Sequence, residues 1–94
     1  MEFKETVELM LSDDYRDRFF AEYLQTKERY ERLKRFNNRI EAAERVNLSG
    51  GTMKEPEHDC PSNLLREQQR VMGEYLHLLE VRREIEGIEA IYPQ

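Results

Sequence analysis

The sequence predicts an all-α protein: an antiparallel helical hairpin with a short N-terminal helix, assembled into oligomers. Apolar residues recur at helical spacing along two long segments, and glycine and proline are concentrated in one segment between them. The 94 residues are 38% apolar and 37% charged, which is polar for one small compact core. Long helices that complete their burial against a partner fit this composition.

The short helix is predicted over residues 2–11. Phe3, Val7, Met10 and Leu11 follow the i, i+4, i+7 and i+8 spacing of one helix face. Ser12 then interrupts the pattern and is suited to cap the next helix, whose first turn would hold two acidic residues near the positive end of the helix dipole.

The long helix is predicted over residues 13–46, a stretch without glycine or proline. Its length would be about 50 Å at 1.5 Å per residue. The seam positions step by four and three residues, as in a heptad pattern: they are Phe19, Tyr23, Thr26, Tyr30, Leu33, Asn37 and Ile40.

Residues 47–61 are predicted to form a loop, because they contain two of the four glycines and two of the three prolines. The last helix is predicted over residues 62–87, with Pro61 suited to its start and Gly87 to its end. The tail at 88–94 adds the apolar residues Ile88, Ile91 and Tyr92.

Two apolar stripes run along the last helix. One consists of Leu64, Val71, Leu78 and Ile85, and the other of Leu65, Met72, Leu76 and Leu79. Together they cover about half of the helix circumference, which is wider than one neighbouring helix needs. This excess predicts a homo-oligomer.

The composition argues against several classes of protein. A formal charge of −5 argues against general DNA or RNA binding. Cys60 is the only cysteine, so no intrachain disulfide forms and a reducing cytoplasm is expected. No apolar run is long enough for a membrane span, and the acidic start does not resemble a signal peptide.

A row of polar residues on the last helix, Gln68, Tyr75 and Arg82, recurs every seven residues. On a helical wheel the row falls in the middle of the apolar face, and Thr26 and Asn37 lie similarly within the seam of the long helix. Buried polar groups require partners. These residues either pair across the hairpin and fix its register, or they line a polar pocket in which arginine meets an anion and tyrosine stacks on a base.

The tract at 27–39 has six basic residues against two acidic ones, interleaved with Tyr30 and Phe36. Cations among aromatic rings suit a phosphate and a base. The alternative is a solvated helix face with ion pairs at i, i+4 spacing.

No catalytic centre, metal site or cofactor is predicted. Cys60, His58 and Asp59 lie together in the loop and His77 lies further on, but these residues lack the spacing of a zinc site. No Cys–His nucleophile arrangement or phosphate-binding glycine loop can be identified. The sequence therefore predicts a protein that is not an enzyme.

Residues 12–33 and 60–88 carry short motifs, which stand here as Asp14-Tyr15, Ala21-Glu22-Tyr23, Cys60-Pro61, Leu64-Leu65, Gln68, Met72, Tyr75-Leu76 and Ile85-Glu86-Gly87. In these motifs the chain resembles a widespread family of small proteins from crAss-like and other gut phages. The resemblance implies a phage gene expressed in a bacterial cytoplasm. Small helical oligomeric phage proteins include the anti-CBASS and anti-Thoeris sponges, which sequester nucleotide immune signals; this analogy is one of size, class and origin.

The resulting hypothesis is a non-enzymatic binding protein that sequesters a small nucleotide immune signal in pockets between helices or protomers. Arginine would bind phosphate, tyrosine would stack on a base, and amides would read polar edges. The candidate ligand-binding residues are Arg82, Gln68, Tyr75, Tyr23, Tyr30, Lys34 and Asn37. The alternative is a protein–protein interaction module, an adaptor or inhibitor that binds a host or phage protein through its helical surface.

Overall fold

A computed structural model describes residues 3–88 of the chain, which fold into three helices. Helix α1 spans Phe3–Met10, α2 spans Tyr15–Leu48 and α3 spans Ser62–Glu86. Within the described residues there is no β-strand, so the predicted all-α class is confirmed. Residue 2 of the predicted short helix, and Ile91 and Tyr92 of the predicted tail, lie outside the described residues.

Helix α2 is a single uninterrupted helix of 34 residues. Asp14 is its N-cap, because its side chain accepts a hydrogen bond of 2.9 Å from the backbone N–H of Arg16. Ser12, which was expected to cap this helix, instead donates a hydrogen bond of 2.7 Å to Asp17 in the first turn. The C-terminal end is closed by Ser49, whose backbone N–H bonds back to the carbonyl of Arg45.

Helices α2 and α3 pack antiparallel as a hairpin. Near the loop, Arg66 on α3 donates a hydrogen bond of 2.9 Å to Glu44 on α2. At the far end of the hairpin, Tyr15 on α2 donates one of 2.9 Å to Glu86 on α3. The start of α2 therefore packs against the end of α3, and the end of α2 packs against the start of α3.

The core lies at the open end of this hairpin, where α1 and α3 both pack against α2. It contains Leu9, Phe19, Phe20, Ala21, Tyr23, Leu76, Leu79 and Ile88. Beyond α3, Gly87 adopts a left-handed conformation with φ of +66°, which turns Ile88 back into this core.

Helix α1 uses a different face from the one that its apolar spacing predicted. Thr6 and Leu9 are buried, whereas Val7, Met10 and Leu11 remain 39%, 49% and 80% exposed. A hydrogen bond accounts for the burial of Thr6: the buried amide of Gln25 on α2 donates to the Thr6 hydroxyl at 3.0 Å. The same amide nitrogen lies 2.8 Å from the sulfur of Met10, so Thr6 and Met10 both contact α2 at this point.

Only one of the two apolar stripes of α3 packs against α2. The inner stripe contains the buried Leu76 and Leu79 together with the half-buried Leu65 and Met72. The outer stripe stays exposed, at 50% for Leu64, 49% for Val71, 59% for Leu78 and 78% for Ile85. The polar row at 68, 75 and 82 therefore lies between a packed and an open stripe, and not in a buried apolar face.

The segment between α2 and α3 is tied back to α2. Asn47 donates to the carbonyl of Met53 at 3.1 Å and accepts from its N–H at 2.8 Å. The ring of His58 meets that of Phe36 edge-on, with centroids 6.2 Å apart.

None of the described helices is long and apolar enough to cross a membrane.

Candidate functional site

A shallow groove between α2 and α3 contains an aromatic ring, a cation and several polar groups. Its volume is about 370 Å³, within the range of small-molecule sites. We call it the Tyr75 groove, and it is lined by Glu22, Gln25, Thr26, Arg29, Met72 and Tyr75. The α2 residues recur at helical spacing and so share one edge of that helix.

Tyr75 provides the aromatic surface of the groove. Its side chain is 42% exposed, and its hydroxyl donates a hydrogen bond to the carboxylate of Glu22 across the hairpin. This hydrogen bond raises the pKa of the Tyr75 hydroxyl above its usual value of 10.0. The phenol is therefore neutral at physiological pH, and its hydrogen bond fixes where the ring stands.

Arg29 provides a cation that no side chain within the described residues neutralises. No hydrogen bond or ion pair within the described part of the chain engages its guanidinium. In contrast, Arg32 pairs with Glu28 at 3.0 Å, and Arg70 pairs with Glu74 at 2.8 Å. Arg29 is thus available to an anionic ligand.

Arg82 lies beyond one end of the groove in a network of its own. Its guanidinium stacks 4.8 Å from the ring centroid of Phe19 and donates to the hydroxyl of Tyr15 at 2.5 Å and to Glu86 at 3.1 Å. The bond to Glu86 is the main reason that the pKa of Arg82 is raised. Glu22 also contributes to that shift, so the network and the Tyr75 groove are electrostatically connected.

Two of the predicted ligand residues are buried in the hairpin. Tyr23 is 4% exposed, and the guanidinium of Arg83 covers its ring at 4.6 Å from the centroid. Asn37 is also 4% exposed and donates to the carbonyl of Leu65 at 3.1 Å and to Gln69 at 2.9 Å. Asn37 therefore pairs across the hairpin, which is one of the two alternatives that its position in the seam allowed.

Tyr30 lies on the opposite side of the hairpin from Tyr75. It lines a second groove of about 610 Å³ with Arg70, Gly73, Glu74, His77 and Leu78. A Cβ atom at Gly73 would lie 3.0 Å from the Tyr30 ring, so the absence of a side chain there lets the ring pack closely on α3. Lys34 and Gln68 are exposed.

The seven predicted residues do not converge on a single pocket. Tyr75 and Arg82 share an electrostatic cluster through Glu22, whereas Tyr30 faces the other groove. Sequence reasoning did not select Arg29, although a signal was present: no acidic residue lies three or four positions away from it on α2. A cation without a local partner is more available to a ligand than one within a charge-paired face.

The family model described as Sequestin matches residues 13–85 of the chain. The chain belongs to the Sequestin family. The matched region contains both long helices of this Sequestin-family chain and every residue of the Tyr75 groove, whereas α1 precedes it. Comparison with curated proteins and with solved structures gives no match.

The family name suggests that Sequestin proteins sequester a ligand or a partner. Across residues 3–88, no three histidine, cysteine, aspartate or glutamate side chains are grouped so that they could hold a metal ion.

Proposed function

We propose that this chain is a non-enzymatic sequestering protein that binds a small nucleotide immune signal in the Tyr75 groove. The observation that carries the proposal is that Arg29 and the exposed ring of Tyr75 line the same groove between α2 and α3, and that Arg29 has no partner among the described residues. The Sequestin family name and the phage resemblance support it from a different direction.

The groove offers a complementary group for each part of a nucleotide. Arg29 would form charge-assisted hydrogen bonds with a phosphate. The ring of Tyr75 would stack on a base, an interaction of about 1–3 kcal/mol. Thr26 supplies a hydroxyl at the groove wall that would bond polar edges of the base or ribose.

Arg82 is proposed to act as a second phosphate-binding cation. Its guanidinium is half exposed although it contacts Tyr15 and Glu86. A phosphate would compete with the carboxylate of Glu86 for the guanidinium of Arg82. Gln68, which precedes Tyr75 by one heptad on the same edge of α3, would extend the polar wall.

The proposal is tested by isothermal titration calorimetry with ADP-ribose and with cyclic di-AMP. The R29A variant should weaken binding at least about tenfold, because a hydrogen bond to a charged group contributes about 1.5–3 kcal/mol. The matched control is R35A, since Arg35 is an exposed arginine on the same helix outside both grooves. Equal affinities for R29A and R35A, or no binding of either nucleotide to the wild-type chain, would contradict the proposal.

The second candidate is an interaction module that sequesters a foreign protein. The specific observation in its favour is the exposed outer stripe on α3. Thermal denaturation separates the two functions, because a ligand at 100 times its Kd adds about 2.7 kcal/mol of apparent stability. An interaction module should show no such shift with either nucleotide.

A further inference from the structure

Glu22 is the acidic group of the Tyr75 groove. Its side chain is exposed and lines the wall that α2 contributes. Within residues 3–88, the hydroxyl of Tyr75 donates to Glu22, and no cation forms an ion pair with it. A carboxylate without a cationic partner retains lone pairs for the N–H donors of a ligand.

The two arginines nearest to Glu22 leave its carboxylate unpaired. Arg82 stacks on Phe19 and bonds to Glu86, and its raised pKa owes most to Glu86 and least to the charge of Glu22. Arg29 lies seven residues further along α2, about 10.5 Å at 1.5 Å per residue. The Tyr75 groove therefore has an acid toward one end and an available cation toward the other.

We propose that Glu22 makes the Tyr75 groove selective for a guanine base, whose N1–H and 2-amino groups both donate to its carboxylate. This inference rests on the proposed function and names the class of nucleotide that the same groove takes. Arg29 binds the phosphate, the ring of Tyr75 stacks on the base, and Glu22 reads the edge of that base.

The edge chemistry of the bases favours guanine. Guanine presents two adjacent N–H donors, which match a carboxylate in the same forked geometry that an arginine offers. Adenine presents one amino group flanked by ring nitrogens that are acceptors, and an amide side chain is its usual partner. Cytosine and uracil also place an acceptor beside their donor. A carboxylate repels such acceptors, so guanine is the base that Glu22 fits best.

Glu22 can accept two N–H groups without releasing Tyr75. A carboxylate has two oxygens with about four lone-pair positions in total. The Tyr75 hydroxyl uses one position on Oε1, so Oε2 and the second position on Oε1 stay available to a base. Because that hydrogen bond directs the ring of Tyr75 toward α2, a guanine stacked on the ring can present its donor edge to Glu22.

The order of groups along α2 follows the order of the parts of a nucleotide. Thr26 lines the groove between Glu22 and Arg29 in sequence. A base at Glu22 places the ribose beside the Thr26 hydroxyl and the phosphate beside Arg29. The reverse orientation would set a phosphate against the carboxylate of Glu22, and like charges in contact are unfavourable.

Matched base analogues test the selectivity. Isothermal titration calorimetry compares cyclic di-GMP with cyclic di-IMP, which lacks only the 2-amino groups, and with cyclic di-AMP. The wild-type chain should bind cyclic di-GMP at least about tenfold more tightly than either analogue, because each analogue loses a hydrogen bond to a charged group. Equal affinities for cyclic di-GMP and cyclic di-IMP would overturn the proposal.

The E22Q variant tests whether the carboxylate reads the base. Glutamine keeps the shape and one oxygen that can accept from Tyr75, but it replaces the second acceptor with a donor. E22Q should bind cyclic di-GMP at least about tenfold more weakly and lose the preference over cyclic di-IMP. The matched control is E28Q, since Glu28 is an exposed acid on α2 that pairs with Arg32 outside the groove. An unchanged preference in E22Q would overturn the proposal.

The Y75F variant separates reading of the base from positioning of the ring. Phenylalanine keeps the stacking surface and removes the hydroxyl that donates to Glu22. Y75F should therefore retain the preference for cyclic di-GMP over cyclic di-IMP. Loss of that preference in Y75F as well as in E22Q would show that Glu22 acts only through Tyr75, and would overturn the direct contact with the base.

The outcomes for the two proposals differ. A wild-type chain that binds ADP-ribose or cyclic di-AMP through Arg29 as tightly as cyclic di-GMP would overturn the guanine selectivity and support the proposed function. A chain that binds none of these nucleotides would contradict both.

Discussion

At the level of single residues, the buried amide of Asn37 connects the two long helices. Its two hydrogen bonds to α3 run from a side chain that is 4% exposed, while its Oδ1 atom has no partner among the described residues. A polar group in such a position fixes the register of two helices, because any shift leaves it buried and unpaired.

The N37A variant should lower the free energy of unfolding by about 1–3 kcal/mol, because it leaves two partly buried acceptors on α3, the Leu65 carbonyl and the Gln69 side chain, without their donor. N38A is the matched control, since Asn38 is an exposed neighbour on the same helix and should change stability by less than about 0.5 kcal/mol. Urea denaturation followed by circular dichroism measures both values. Equal stabilities for the two variants would show that Asn37 does not hold the register.

His58 should titrate above the ordinary value of 6.5. Its Nδ1 donates to the carbonyl of Cys60 at 2.6 Å, which is the main cause of the raised pKa, and Nε2 lies 3.4 Å from Glu55. The negative charge of Glu44 raises the pKa of His58 by a smaller amount. Because the folded pKa is raised, the stabilising contribution is fully present below pH 6.5 and is lost as the pH rises through the folded pKa.

An NMR titration of the His58 imidazole measures this shift directly. The E55Q variant should lower the pKa toward the ordinary value without abolishing the shift, since the bond to the Cys60 carbonyl remains. A wild-type pKa at or below 6.5 would contradict the geometry of the loop.

At the level of helices, the sequence allowed α2 to be predicted more completely than the packing of α3. The absence of glycine and proline and the heptad seam predicted one long helix, which the structure contains as Tyr15–Leu48. The helical wheel of α3 combined two stripes into one face, because periodicity does not tell which stripe meets a neighbour. The polar row therefore appeared buried on the wheel and proved exposed.

The candidate site was predictable in residue type but not in position. Tyr23 and Tyr30 share the same seam, yet one ring is in the core and the other lines a groove, because their surroundings on α3 differ. That difference depends on Arg83 and Gly73, which lie far from either tyrosine in sequence. Arg29 could have been selected from its lack of acidic neighbours on α2.

The contact between Gly73 and Tyr30 predicts a measurable coupling between the two helices. In the middle of a helix, glycine to alanine should gain about 1 kcal/mol, but the new Cβ would lie 3.0 Å from the Tyr30 ring. G73A should therefore stabilise the Y30A background by about 1 kcal/mol and the wild type by clearly less. A double-mutant cycle with urea denaturation measures the difference, and equal effects in both backgrounds would show that the ring does not depend on the glycine.

At the level of the whole molecule, the chain is elongated, with extents of 55 × 26 × 23 Å over the described residues. Its main apolar cluster lies at one end, and the outer stripe of α3 remains open. A single copy thus retains a large exposed apolar surface. If a second copy covers that surface, folding and association are thermodynamically linked.

The melting temperature of the wild-type chain should therefore rise with protein concentration between about 1 and 100 μM, because dimerisation stabilises the folded state by mass action. L78E should melt at a temperature that does not depend on concentration, whereas L48E should behave like the wild type. Scanning calorimetry at several concentrations provides the measurement. A wild-type melting temperature that stays constant over this range would contradict the linkage.

The antiparallel arrangement of α2 and α3 also sets an order in which the hairpin would assemble. Asn37 and Leu65, near the loop, are 28 residues apart, whereas Tyr15 and Glu86 at the open end are 71 apart. Closing the shorter segment costs less chain entropy, so zippering would begin beside the loop and finish at Arg82 and Tyr15. The open end would then be the first part of the hairpin to fray, and whatever binds beside Arg82 would slow its unzipping.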